Sequence, residues 1–216
     1  METWNGVAER IAEGVIGGDE ERVARLTREA IERSTPPKRI LDDGLIAGMD
    51  VVGRRFKEHE IFLPDVLLAA RAMYAGMDLL KPLLVRDGIP SLGKVVLGTI
   101  QGDLHDIGKN LVGIMLKGAG FEIIDLGNDV APERFVETAK AQGAKVIGMS
   151  ALLTTTMVRM RDVIELLAER QLGGKIKTIV GGAPVSDAYA REIGADAHGF
   201  DAASAVERVK ALVGEN

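Results

Sequence analysis

The chain has 216 residues and a mass of 23.1 kDa, with 46% hydrophobic and 27% charged residues, as in a globular protein of one large or two small domains. A formal net charge of −5 excludes the strongly basic footprint of a nucleic-acid binder, and the absence of cysteine excludes disulfides, thiolate metal sites and a cysteine nucleophile. The longest uncharged run, Val146 to Val158, is too short to span a bilayer, and the first residues lack a signal-peptide pattern, so a cytoplasmic protein without membrane partners is expected.

Residues 1–87 read as helices. From Val7 to Val15, apolar positions recur at spacings of three and four, the stripe of an amphipathic helix. Gly17-Gly18 stops it, and Asp19 can cap a second helix with Val23, Leu26, Ala30 and Ile31 inward. Ser34-Thr35-Pro36-Pro37 ends that one, and a third helix is predicted from about Lys38 to Lys57. His59 to Leu63 forms a connector. Pro64 then suits the first turn of a fourth helix carrying Val66, Leu67, Ala70, Met73, Met77 and Leu80. Four helices with short connections predict a small antiparallel four-helix bundle.

Residues 88–93 are turn-rich and read as a linker. From residue 94 to 216, short apolar runs alternate with amphipathic stretches. Strands are predicted at Lys94–Ile100, Phe121–Leu126, Lys145–Ser150, Lys177–Val180 and Ala197–Phe200. Helices are predicted near Ile107–Ala119, Pro132–Gln142, Thr156–Arg170, Ser186–Ile193 and Ala202–Leu212. This is the α/β pattern of a Rossmann-like, flavodoxin-like domain, with five parallel strands and helices on both faces. Ligands of such sheets sit beyond the carboxyl ends of the strands. The loops 101–108, 127–130, 150–156, 181–186 and 200–203 are therefore where site residues belong.

The first of these loops contains Gly102-Asp103-Leu104-His105-Asp106-Ile107-Gly108-Lys109-Asn110. A phosphate-binding loop would need four residues between its glycines and a hydroxyl after the lysine; five residues intervene here and Asn110 follows. The G-x-G-x-x-G of a dinucleotide site is absent. A binuclear metal centre would need more histidines than His59 and His198. Two readings remain open. His105 is either a histidine bonded to a neighbouring carbonyl, or a single ligand to a metal that arrives already chelated, as in haem or a corrinoid. A carboxylate two residues earlier suits the second reading, because metal-binding imidazoles commonly bond a carboxylate through their other nitrogen.

Asp103-Leu104-His105-Asp106-Ile107-Gly108 resembles the D-x-H-x-x-G signature of the cobalamin-binding domains of methionine synthase and of corrinoid methyl-carrier proteins. Ser150-Ala151-Leu152-Leu153-Thr154 resembles that family's S-x-L-x-T segment, and Gly181-Gly182-Ala183 its GGA turn. The resemblance spans nearly the whole chain, and its motifs follow the strands in the expected order.

The resemblance implies that the cofactor is cobalamin or a related corrinoid, cycling between Co(I) and methyl-Co(III), bound base-off with His105 as the lower axial ligand. Asp103 matches the carboxylate that bonds this imidazole, and Thr156 the hydroxyl that completes the triad. Ser150, Leu152 and Thr154 match positions that meet the displaced nucleotide tail. Gly181, Gly182 and Ala203 match positions lining its slot. For the glycines, turn geometry is the competing explanation; for Thr154, a helix N-cap. In the helical half, Phe56 and Leu63, seven residues apart, match the pair covering the upper face of the cofactor. Bundle core is the alternative role for both. Asp42 aligns with an acidic position near the corrin edge, while His59 and Glu60 depart from the small residues often seen in this connector.

A chain with only these two modules resembles a standalone corrinoid protein, not catalytic alone, within a multi-component methyltransferase system. The resemblance implies a substrate-specific methyltransferase and an acceptor methyltransferase as partners, together with a reductive activase. Methylamines, methanol, betaine or aromatic methyl ethers are the implied donors, and tetrahydrofolate or coenzyme M the implied acceptors. A cobalamin-dependent light sensor or regulator and an adenosylcobalamin mutase subunit are the alternatives from other classes.

Overall fold

The computed structural model describes residues 3–89 and 91–214; Pro90, in the expected linker, and the outermost terminal residues lie outside the described set. The chain divides into two compact units between Ile89 and Ser91, with residues 118–120 grouped with the first.

The first unit is helical. α1 (Trp4–Ile16) buries Val7, Ala8, Ile11, Gly14 and Val15, and α2 (Glu20–Glu32) follows after Asp19, whose side chain accepts the Arg22 N–H at 2.9 Å. Inward positions on α2 are Val23, Leu26, Thr27 and Ala30; Ile31, expected inward, is only half-buried. The predicted third helix is interrupted. α3 (Pro37–Ile40) runs into a π-helical segment, Leu41–Ile46, before α4 (Ala47–Lys57). The wider turn brings Ile40 and Leu45, five residues apart, both into the core, where an α-helix would turn them well away from each other.

α5 (Leu63–Arg86) carries Pro64 in its first turn, as predicted, and Asp65 accepts the Phe62 N–H at 2.8 Å. Its inward stripe uses smaller residues than expected. Ala69 and Gly76 are buried, whereas Leu67 is exposed. A Cβ at Gly76 would lie 2.8 Å from a Leu45 methyl, so glycine here lets the π-helical segment approach. His59 takes a left-handed conformation (φ 59°) just past the end of α4, its amide returning to the Phe56 carbonyl. The connector residue thus serves as a helix stop.

The second unit is a five-stranded parallel sheet of order β2-β1-β3-β4-β5: β1 Lys94–Thr99, β2 Glu122–Asp125, β3 Val146–Ser150, β4 Lys177–Gly181 and β5 Ala197–Gly199. Four of the strands are one or two residues shorter than the apolar runs suggest, and β4 is one residue longer. Helices α6 (Ile107–Gly118), α7 (Pro132–Gln142), α8 (Thr154–Met157), α9 (Arg159–Glu169), α10 (Asp187–Ile193) and α11 (Ala202–Leu212) complete it. The helix expected from Thr156 starts two residues earlier and breaks at Val158 into α8 and α9. Phe135 and Val136 of α7, Met160, Val163 and Leu167 of α9, and Val96 and Ile147 of the sheet share one core. Valine and isoleucine dominate the central strands because a parallel sheet is covered on both faces.

β1 has β2 on one side and β3 on the other, so the strand order reverses there. That reversal opens a crevice between the loops after β1 and β3. Among the described residues, no helix is long and apolar enough to cross a membrane.

Candidate functional site

The loop after β1 and the loop after β3 meet at Asp103. Its carboxylate is fully buried, and every hydrogen bond it accepts comes from these two loops and the helix that follows the second. Oδ1 accepts the His105 amide at 3.1 Å and lies 2.7 Å from His105 Nδ1. Oδ2 accepts the Leu152 amide at 2.8 Å, the Leu153 amide at 3.2 Å and the Thr156 hydroxyl at 2.7 Å. Burial pushes the Asp103 carboxyl up. The Leu152 amide, the Thr156 hydroxyl and the His105 ring and amide outweigh it and hold the group well below the usual carboxylate range.

An ionised carboxylate can only accept, so the proton of a neutral His105 ring sits on Nδ1 and leaves the Nε2 lone pair free. The side chain is 52% exposed, so the ring presents that nitrogen at the surface. Leu104, Ile107, Leu152 and Leu153 are exposed on the same two loops and at the start of α6. An imidazole ringed by exposed leucine and isoleucine suits a broad apolar ligand with a metal at its centre. Among the described residues, no three metal-binding side chains gather around an ion.

Beside this surface lies a cavity of about 410 Å³, lined by Leu104, His105, Asp106, Ile107, Gly108, Ser150, Ala151, Leu152, Gly182 and Ala183. Gly108 is the second residue of α6, and a Cβ there would meet nothing within 4 Å. The protein's own packing gives no reason for its missing side chain; close approach of a ligand would. Gly182 differs: at φ +119°, its Cβ would collide with the Ala151 carbonyl. Gly181 likewise approaches the Gly199 carbonyl, so turn and strand geometry account for both glycines whatever the cavity holds.

The structure thus brings together Asp103, His105 and Thr156, with Ser150, Leu152 and Gly182 on the adjoining cavity wall. Thr154 is exposed at the first position of α8, where Leu153 holds the N-cap place, so capping does not explain it. Ala203 is buried near the start of α11 and does not line this cavity. In the helical unit, Phe56 is the next-to-last residue of α4 and Leu63 begins α5; both are half-buried rather than core. Asp42 lies in the π-helical segment, paired with Lys38 at 2.6 Å.

Sequence reasoning missed the residues that brace the His105 loop from below. Thr99 Oγ1 donates to the His105 carbonyl at 3.0 Å, and Asp129 Oδ1 accepts the Gly102 amide at 2.7 Å. Lys109, its side chain only 1% exposed, places Nζ 2.6 Å from both Asp125 oxygens and from Asn110 Oδ1. The lysine directly after the D-x-H-x-x-G glycine was the available signal, since a buried ammonium must find an acid.

The family model for the B12 binding domain matches residues 93–210, and a second B12 binding domain model matches residues 7–81. A corrinoid protein of Desulfitobacterium hafniense (strain Y51) is 43% identical over 210 residues, 96% of this chain and 97% of that one. Dimethylamine corrinoid protein 3 of Methanosarcina acetivorans is 44% identical over 216 residues, 99% of this chain and 100% of that one. The structure of the methanol:cobalamin methyltransferase complex of Methanosarcina barkeri matches with a TM-score of 0.86 at 32% identity, over 99% of this chain and 82% of that one. A cobalamin-binding protein of Desulfitobacterium hafniense DCB-2 matches with a TM-score of 0.80 at 31% identity, over 99% and 100%. Each module meets a B12-binding model and the full length meets corrinoid proteins; the chain belongs to the corrinoid protein family, and its cofactor is a cobalamin or related corrinoid.

Proposed function

We propose that the chain carries a methyl group on a corrinoid between two methyltransferases, with His105 as the lower axial ligand. The observation that carries this reading is the pairing of His105 Nδ1 with the buried Asp103 carboxylate, which leaves Nε2 exposed amid an apolar rim. Bound there, the corrinoid cobalt would supply the nucleophilic chemistry of methyl transfer, which no side chain of the site offers.

The chain's own residues do the rest. Asp103 fixes the ring tautomer, and the Leu152 and Leu153 amides and the Thr156 hydroxyl fix Asp103. Leu104 and Ile107 offer an apolar seat for a macrocycle, and the neighbouring cavity has room for part of a nucleotide tail, with Ser150 and Gly108 on its wall. Phe56 and Leu63 are assigned the shielding of the reactive group by the family resemblance, and their incomplete burial leaves side-chain surface to do so.

Relatives named for dimethylamine and trimethylamine are 42–48% identical to this chain, against 32% for the methanol complex, which supports a methylated amine as the upstream donor. The same relatives support the carrier reading over a light-dependent regulator or a mutase subunit.

The test is electron paramagnetic resonance of the Co(II) form bound to protein labelled with nitrogen-15 histidine. If His105 is the ligand, the nitrogen splitting superimposed on the cobalt lines changes with the isotope in the protein, and His105→Ala abolishes that change. A splitting indifferent to the protein isotope would remove His105 from the axial role.

A further inference from the structure

Resting on the reading of His105 as the axial imidazole, we propose that Asp129 is a positioning residue that fixes the aim of that imidazole through the Gly102–Asp103 segment. Asp129 lies in the loop between β2 and α7, on the far side of the His105 loop from β3. Its Oδ1 accepts the Gly102 N–H at 2.7 Å, and its own N–H donates to the Asp103 carbonyl at 3.0 Å. One residue therefore pins the two peptide planes that flank Gly102 and Asp103.

Those planes need pinning. Gly102 stands at φ +85°, in a region that glycine enters freely and leaves as freely. The Asp103 side chain takes its direction from this backbone, and the His105 ring takes its direction from Asp103. A small rotation at Gly102 would reach Nε2 multiplied by two side-chain lengths.

Asp129 itself stands at φ +52°, a left-handed conformation that non-glycine residues rarely adopt and that aspartate tolerates better than most. Backbone held in such a region persists where the surroundings over-determine it, and functional sites are where this is found. The side chain is exposed, so core packing does not account for it. Two carbonyls further along the loop have partners of their own: Asn128 Nδ2 donates to Leu104 O at 3.3 Å, and Thr99 Oγ1 to His105 O. Among these braces, only Asp129 holds two points with one residue.

Asp129→Gly and Asp129→Asn separate positioning from stability. Glycine suits the left-handed backbone and leaves no void, so the fold survives while the acceptor is lost. Asparagine keeps both the acceptor and the tolerance for φ +52°. In nitrogen-15 spectra of the apoprotein, wild type and Asp129→Asn should show the His105 proton on Nδ1, and Asp129→Gly an averaged tautomer. Asp129→Gly should also bind hydroxocobalamin roughly tenfold more weakly, the scale on which outer partners of metal-binding histidines act, and Asp129→Asn should bind as wild type does. Wild-type ring signals and affinity in Asp129→Gly would overturn the proposal, as would equal losses in both variants with lowered thermal stability. If wild-type cobalt shows no protein nitrogen at all, the axial reading of His105 fails; the apoprotein spectra still judge the Asp129 clamp alone.

Discussion

Thr156 donates its hydroxyl hydrogen to Asp103 Oδ2 at 2.7 Å, joining the start of α8 to the loop after β1 across 53 residues of sequence. The threonine methyl is not crowded: even a Cβ built on Gly102 would lie 3.4 Å from it, an ordinary van der Waals contact. Threonine can therefore serve here as serine would. Thr156→Val keeps the shape and removes the donor, and should cost about 1–3 kcal/mol, the penalty of a buried acceptor losing a partner. Thr156→Ser loses one methyl group and should cost under about 1 kcal/mol. Urea unfolding of the two variants measures the difference; equal losses would mean that packing, not the hydrogen bond, matters at this position.

Acid stability should report the Asp103 carboxylate directly. Its folded pKa is depressed, because hydrogen bonds from Leu152, Thr156 and His105 outweigh the opposing effect of burial. The unfolded chain then takes up the proton first. The stabilisation is fully present above the ordinary carboxyl value of 3.8 and is lost as pH falls from there toward the folded value. The stability gap between wild type and Asp103→Asn should therefore narrow as the pH drops below about 4. A gap that stays constant in equilibrium unfolding at about pH 3 would contradict the depressed value.

The Lys109–Asp125 pair should respond unequally to loss of either partner. Lys109 is buried, with 1% of its side chain exposed, whereas Asp125 is 48% exposed. Asp125→Ala strands an ammonium in the interior with only Asn110 to receive it, at a cost toward the lower end of the roughly 3–5 kcal/mol seen when buried pairs are broken. Lys109→Met releases a carboxylate that water can reach, and should cost less than half as much. Guanidinium denaturation of both variants decides it, and equal costs would refute the asymmetry.

Two glycine-to-alanine changes in helices should have opposite signs. At Gly48 in α4, a Cβ would lie 2.8 Å from Val15 Cβ and 2.9 Å from the Ala12 carbonyl of α1. Overpacking of about 1–3 kcal/mol against backbone that cannot move aside exceeds the helix-propensity gain of about 1 kcal/mol, so Gly48→Ala destabilises. At Gly108 the space is open. Gly108→Ala should raise the melting temperature of the apoprotein while weakening cobalamin binding, because the new methyl group enters the cavity. Unchanged affinity for cobalamin would show that the ligand does not approach α6 there.

The α/β half was legible because each buried strand is a short valine- and isoleucine-rich run, such as Val95–Leu97, bounded by polar or glycine-rich turns. The loops worth searching followed from the parallel order, and Asp103, His105 and Thr156 all lie on or directly beside them. The helical half was harder to phase. A reading at 3.6 residues per turn has no place for the π-helical turn between Ile40 and Leu45, which is stabilised by contacts with other helices rather than by local pattern. Asp129 escaped for a different reason. An aspartate in a turn is ordinary, and its weight comes from a left-handed φ and a partner 27 residues away, neither of which a linear pattern displays.

The glycines at the end of β4 constrain how this site can diversify. There main chain faces main chain, Gly181 against the Gly199 carbonyl and Gly182 against the Ala151 carbonyl. Neither glycine can take a side chain without displacing its neighbour, so that stretch of the contour is set by main chain and not by side-chain choice. What the cavity admits is adjusted elsewhere: at Gly108, where a side chain has open space, and at the mouth, where Leu104, Ile107 and Leu152 are exposed. One wall is a fixed mould and the rest is variable, so, with the tail seated as proposed, a corrinoid of different tail would be accommodated by exchanges at Gly108 and the rim rather than at the end of β4.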